Sequence, residues 1–244
     1  HAAGYALLAY QTAYLKSIFP YEFMTATFNY AIDRTDRIIL LKKELSRLNI
    51  EFKKPDINFS QDIFSIERNN ENKSIRFGLA AIKGVGIKSM QSLIIEREKN
   101  GKFTDIIDFM NRMSGDVINK RQLEKLIQAG CFDGIEENRA KLFLNVPNFV
   151  EIFGGSKEVN LKQSMLFEES KISFNDNNLF NQNILEWNAG FKLKNELDVI
   201  GFYFSNHPLS LYPRNYFQQN NIIDWKELEL NTEIKNAKIV GSIL

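Results

Sequence analysis

Apolar residues recur at helical spacing in the first part of the chain, then switch to strand-like alternation. Tyr5, Leu8, Ala9, Thr12 and Leu15 follow the helical period and predict a helix from His1 to Phe19. Pro20, which has no N–H to lose in a first helical turn, opens a second helix reaching about residue 32. Asp33 to Thr35 supply a cap. Ile38, Leu41, Leu45 and Leu48 then form a stripe, with Lys42, Lys43 and Arg47 on other faces, as in an amphipathic helix. Pro55 ends this section, and Ile63–Glu67 and Ser74–Gly78 alternate around an Asn-rich turn, predicting a β-hairpin.

Leu79 to Ile94 reads as two short helices joined by a Gly-x-Gly hairpin, and the rest of the chain is organised around it. Leu79, Ile82, Ile87, Met90, Leu93 and Ile94 give each side an apolar face, and Lys83 and Lys88 flank the turn. Gly84 and Gly86 let the backbone approach another surface closely. A phosphate suits that surface, because a helix starting near Gly86 offers free N–H groups and a partial positive charge. A Walker loop fails: Ile87 separates Gly86 from Lys88. A dinucleotide loop fails too, since it needs glycine where Ser89 stands. A purely structural αα-hairpin stays open.

Further along, Phe103–Met113 and Asn119–Ile127 carry apolar stripes. Ala129 to Gly134 with Asn138, Arg139 and Ala140 then looks like a second, degenerate copy of the hairpin, its glycines at Gly130 and Gly134. From about Asn145 the pattern dissolves into a Pro- and Gly-containing linker that holds one apolar island, Gln163-Ser164-Met165-Leu166-Phe167. Ile184–Ile200 resumes a helix with Leu185, Leu193, Leu197 and Ile200 inward, and Ala237–Leu244 is strand-prone.

Charge sharpens the picture locally. The 244 residues carry a formal net charge of only +1, yet from Lys73 to Lys125 eleven basic residues face six acidic ones, an excess of +5 centred on the hairpin. Lys83, Lys88, Lys120, Arg121 and Arg139 are the candidate phosphate partners, together with the backbone of Gly84, Val85, Gly86, Ile87 and Lys88. One cysteine, Cys131, suits a reducing compartment, and with only His1 and His207 beside it the usual zinc clusters are excluded. No apolar run is long enough to span a bilayer, and a cytoplasmic location is expected. Asp105 and Asp108 share a helix face but sit among ordinary surface residues, so neither a metal nor a catalytic role is assigned to them. The start at His1 and the strand-like end read as an excised piece of a longer protein.

The chain resembles the C-family DNA polymerases, the alpha subunits of bacterial replicative polymerase III. The stretches that carry the likeness are His1–Tyr5 with Ala9–Lys16, Pro55–Asn58, Ile75–Gly86, Asn119–Arg121, Ala129–Asp133 and Gly201–Leu209, in matching order and spacing. The resemblance implies a mainly α, multi-module fold with a small β-hairpin, a tandem helix-hairpin-helix and an incomplete C-terminal β segment. Residues 1–72 would be the end of the fingers, 73–146 the tandem hairpins of the clamp-binding domain and 147–183 a linker. Residues 184–217 would be a helical connector and 218–244 the start of an OB fold. It also implies a DNA-directed DNA polymerase, a nucleotidyltransferase, whose Mg2+-binding palm carboxylates lie outside this stretch, leaving it without catalytic residues or activity of its own. His1 and Tyr5 would lie near the incoming nucleotide, and Gln163, Met165, Leu166 and Phe167 would dock on the ring-shaped sliding clamp (beta subunit). Partners would be duplex DNA, that clamp and other replisome subunits. Two other readings stand beside it: a helix-hairpin-helix module of a repair protein, for which no catalytic Asp context is visible, and a structural helical adaptor.

Overall fold

The computed structural model describes residues 1–70, 72–113, 117–153, 183–223 and 237–241. The island Gln163–Phe167 and residues 242–244 of the strand-prone tail lie outside them. Three helices come first: α1 (Ala2–Ile18), α2 (Pro20–Tyr30) and α3 (Thr35–Arg47). α1 buries none of its side chains, so its apolar stripe is exposed, and Lys16 ties the helix to Glu44 of α3 at 2.6 Å. The expected cap at Asp33–Thr35 is absent, for α3 begins after Arg34 with no side-chain cap bond.

The predicted hairpin is present as β2 (Ser65–Asn69) and β3 (Asn72–Arg76), antiparallel with Ile66 opposite Ile75. Asn70 turns the chain at φ 53°, a left-handed conformation that asparagine tolerates. A third strand, β1 (Glu51–Lys53), adds in parallel on the other side of β3. Phe52 from β1 meets Phe28, Phe64, Phe77, Phe202 and Phe204 with ring centres 5.0–6.5 Å apart, which joins the sheet to α2 and to the chain after residue 200. Each such pair adds about 0.5–1.5 kcal/mol beyond its buried area.

A short 3-10 turn (Leu79–Ala81) replaces the first of the two predicted hairpin helices. Then come α4 (Ile87–Asn100), α5 (Ile106–Met113), α6 (Lys120–Gln128) and α7 (Arg139–Phe153). α7 runs through Pro147 and past the boundary expected at 146/147, because Val146, Phe149 and Phe153 bury one face while Pro147 stays exposed. α8 (Ala189–Ile200) and the short α9 (Arg214–Gln219) complete the helices of the described residues. Leu185, expected inward, is 89% exposed ahead of α8. One continuous apolar core extends from Met24 through both hairpins to Phe202.

Candidate nucleic-acid interface

The first hairpin is fixed from beneath. Gly84 takes φ 82°, a conformation glycine reaches without strain, and this folds Val85 back so that its side chain is 7% exposed. The Val85 amide donates to the Ile82 carbonyl at 3.1 Å, and the Lys83 amide donates to the Val199 carbonyl of α8 at 2.9 Å. Met90, Leu93 and Ile94 anchor the buried face of α4. Near its other end Arg97, 7% exposed, donates to the Ile57 and Ser60 carbonyls at 2.7 Å each. Charge-assisted bonds of this kind are worth about 1.5–3 kcal/mol, enough to hold the helix in one pose.

What remains outside is cationic and donor-rich. Lys83, Gly84, Gly86, Ile87 and Lys88 are exposed, and no side chain caps the start of α4. The N–H groups of its first turn therefore point outward with the positive end of the helix dipole. α6 brings a second helix start alongside. Its Asn119–Gln122 capping box closes with bonds of 3.0 and 3.1 Å, and Gln122 Nε2 reaches across to Ser89 Oγ of α4 at 3.1 Å. Arg121 Nε and Lys125 Cγ lie 3.9 and 3.8 Å from where a Cβ on Gly84 would stand. Lys83, Lys88, Lys120 and Arg121 thus belong to one exposed surface at the heads of α4 and α6. Lys125, one helical turn beyond Arg121 and half-buried with its ammonium on Gln128 Oε1 at 3.0 Å, borders that surface, and the spacing is the signal by which the sequence could have included it.

Arg139 is elsewhere. Its side chain is 4% exposed and forms ion pairs with Asp133 at 2.7 Å and Glu196 at 3.2 Å, so it offers no charge to a phosphate. Burial pushes the Asp133 carboxyl up, but the Arg139 and Lys54 bonds outweigh it and hold the group below its ordinary range. At the head of α7 every early amide is already taken. Glu186 accepts from the Arg139 and Ala140 amides at 2.9 and 3.2 Å, and Asn138 accepts from the Lys141 amide at 2.8 Å.

The other candidates are scattered. His1 and Tyr5 lie on the exposed face of α1, Tyr5 at 73% exposure. Asp105 and Asp108 are committed locally: Asp105 accepts the Asp108 amide at 2.8 Å, and Asp108 pairs with Arg112 at 3.1 Å. Among the described residues no three His, Cys, Asp or Glu side chains gather as a metal cluster. No helix among them is long and apolar enough to cross a membrane.

A family description of the helix-hairpin-helix motif matches residues 49–142, the stretch that contains both hairpins. Among curated proteins, the DNA polymerase III subunit alpha of Neisseria meningitidis serogroup B is 38% identical over 218 residues, covering 89% of this chain and 18% of that protein. The same subunit from Buchnera aphidicola subsp. Acyrthosiphon pisum is 36% identical over 250 residues, and that of Borreliella burgdorferi 34% over 247; each match covers 100% of this chain and 21% of the relative. The chain, with its helix-hairpin-helix match, is accordingly a homologue of one segment of DNA polymerase III subunit alpha, and it spans about a fifth of those relatives' length.

Proposed function

We propose that this chain is part of the catalytic subunit of a bacterial replicative DNA polymerase, in which it grips duplex DNA by the backbone and attaches the enzyme to its sliding clamp. The observation that carries the DNA reading is the exposed, uncapped start of α4 beside the head of α6, ringed by Lys83, Lys88, Lys120 and Arg121. Amides and lysines of this kind address phosphates and carry no base code, so binding is independent of sequence. With only a few phosphates neutralised, the log–log salt slope should be roughly −2 to −4.

Clamp attachment rests on Gln163, Met165, Leu166 and Phe167, which fit a Gln-x-x-Leu-Phe pattern. Apolar anchors entering a pocket would supply most of the energy, with the Gln163 amide fixing the peptide's entry. A moderate affinity is sufficient once DNA holds the polymerase near the clamp. His1 and Tyr5 would approach the incoming nucleotide in an intact subunit. The metal-assisted chemistry, with its Mg2+, would belong to the remainder of such a subunit, which would work in the cytoplasm with other replisome proteins.

Fluorescence anisotropy on two unrelated duplexes, comparing wild type with Gly84→Ala/Gly86→Ala, tests the grip. Equal affinities with the fold intact would return the hairpin to a structural role. Calorimetry against the cognate clamp, with Leu166→Ala/Phe167→Ala as control, tests the attachment. Primer extension with Mg2+ and four nucleotides should give no product from this chain alone.

A further inference from the structure

Residues 195–205 bind four neighbours at once. The Val199 carbonyl receives the Lys83 amide of the first hairpin at 2.9 Å. Glu196 receives Arg139 of α7 at 3.2 Å, and Asn195 receives the Gln128 amide group of α6 at 2.9 Å. Lys42 of α3 donates to the Tyr203 carbonyl at 2.7 Å, with its ammonium 4.5 Å from the centre of the Phe202 ring. The stretch folds back on itself at Gly201, which takes φ 93° at the end of α8. Glu196, 1% exposed, closes the fold by accepting the Phe204 and Ser205 amides at 3.1 and 3.0 Å. No side chain fits at Gly201: a Cβ there would overlap the Thr35 methyl and stand 3.4 Å from Lys83 Nζ.

We infer that residues 195–205 form a positioning clasp for the DNA grip. Glu196 and Gly201 hold the Val199 carbonyl in place, and that carbonyl fixes the residue immediately before the left-handed turn at Gly84. The inference rests on the phosphate reading of the first hairpin. Val85 pins the hairpin's far side in the core, while the Lys83–Val199 bond fixes its near side, so the two together set the direction of the outward amides. Without the near anchor the same amides and lysines are still present, but they must be ordered at the moment of binding, and affinity falls.

The test uses the 244-residue chain and a labelled duplex, with amide hydrogen exchange at Lys83 as a second readout. Gly201→Ala should accelerate exchange at Lys83 and weaken duplex binding about tenfold, with helix content unchanged. Thr35→Ser in the same chain removes the overlapping methyl, though not the strain of a Cβ at φ 93°, and should restore part of the affinity, a rescue that general damage to the fold would not give. Glu196→Gln keeps the side chain's shape and should weaken binding about threefold, carrying the test if Gly201→Ala unfolds. Faster Lys83 exchange with wild-type affinity would overturn the clasp while leaving the grip standing. Wild type binding no better than Lys88→Ala would overturn the phosphate reading, and the clasp with it.

Discussion

The two hairpins share a pattern of glycine, turn and helix, and they differ in what meets the amides at the head of the following helix. At α4 no side chain caps the helix, and exposed lysines stand beside it. At α7, Glu186 and Asn138 take the amides of Arg139, Ala140 and Lys141, and the Arg139 guanidinium is buried between Asp133 and Glu196. A carboxylate from the same chain occupies the place that a phosphate could take. One hairpin is open to an external anion, and the other uses the same geometry to join α7 to the chain around α8. A glycine turn before a helix leaves amides in need of an acceptor, and the neighbouring acids decide whether the chain supplies it itself.

The largest expected effect separates the two arginines of the motif. Arg139→Ala leaves Asp133 and Glu196 without their shared partner and should cost about 3–5 kcal/mol in denaturant unfolding. Arg121→Ala, on the exposed surface, should change stability by less than about 0.5 kcal/mol. The glycines divide in the same way. A Cβ on Gly130 would collide with the Arg139 guanidinium, whereas one on Gly84 meets nothing closer than 3.8 Å. Gly130→Ala should thus cost about 2–4 kcal/mol of stability, and Gly84→Ala only about 1 kcal/mol, from its positive φ. The order should reverse when duplex affinity is measured in folded protein.

A smaller effect is expected from Lys88→Ala. It should reduce duplex affinity by about three- to tenfold and make the salt slope shallower by about 0.9, the contribution of one phosphate. Melting temperature should not change. Acid should act on the second hairpin first. Burial raises Glu186, but its bonds to Lys192 and to backbone amides outweigh this and hold it low, as Arg139 and Lys54 hold Asp133. Groups with lowered pKa values stabilise the fold above their unfolded values, about 4.3 and 3.9, and that contribution is lost as pH falls through the folded ones. Below about pH 4 the Arg139 and Ala140 amide resonances should move before those of Gly84 and Gly86, since residues 82–95 contain no acidic side chain.

Much of this organisation was legible in the sequence because it is local. The β-hairpin and the stripes of α5 and α6 all depend on near neighbours. What could not be read depends on distant ones. Glu51–Lys53 is too short to show alternation and becomes a strand only because β3 is already there to pair with it. Pro147 argues for a helix end, yet burial of Val146, Phe149 and Phe153 outweighs the one lost hydrogen bond. Arg139 looks like a free cation until Glu196, 57 positions away, is folded against it. The surface at the heads of α4 and α6 was legible apart from Lys125, while the clasp at 195–205 has no local pattern to announce it.

The central claim is that the first hairpin takes phosphate and the second does not. An amide chemical-shift titration of the isotopically labelled chain with a short duplex tests it most directly. The account predicts the largest perturbations at Gly84, Gly86, Ile87, Lys88, Lys120 and Arg121, with Gly130, Gly134, Arg139 and Ala140 nearly unmoved. Perturbations centred on Gly130 to Ala140, or equal at both hairpins, would contradict it.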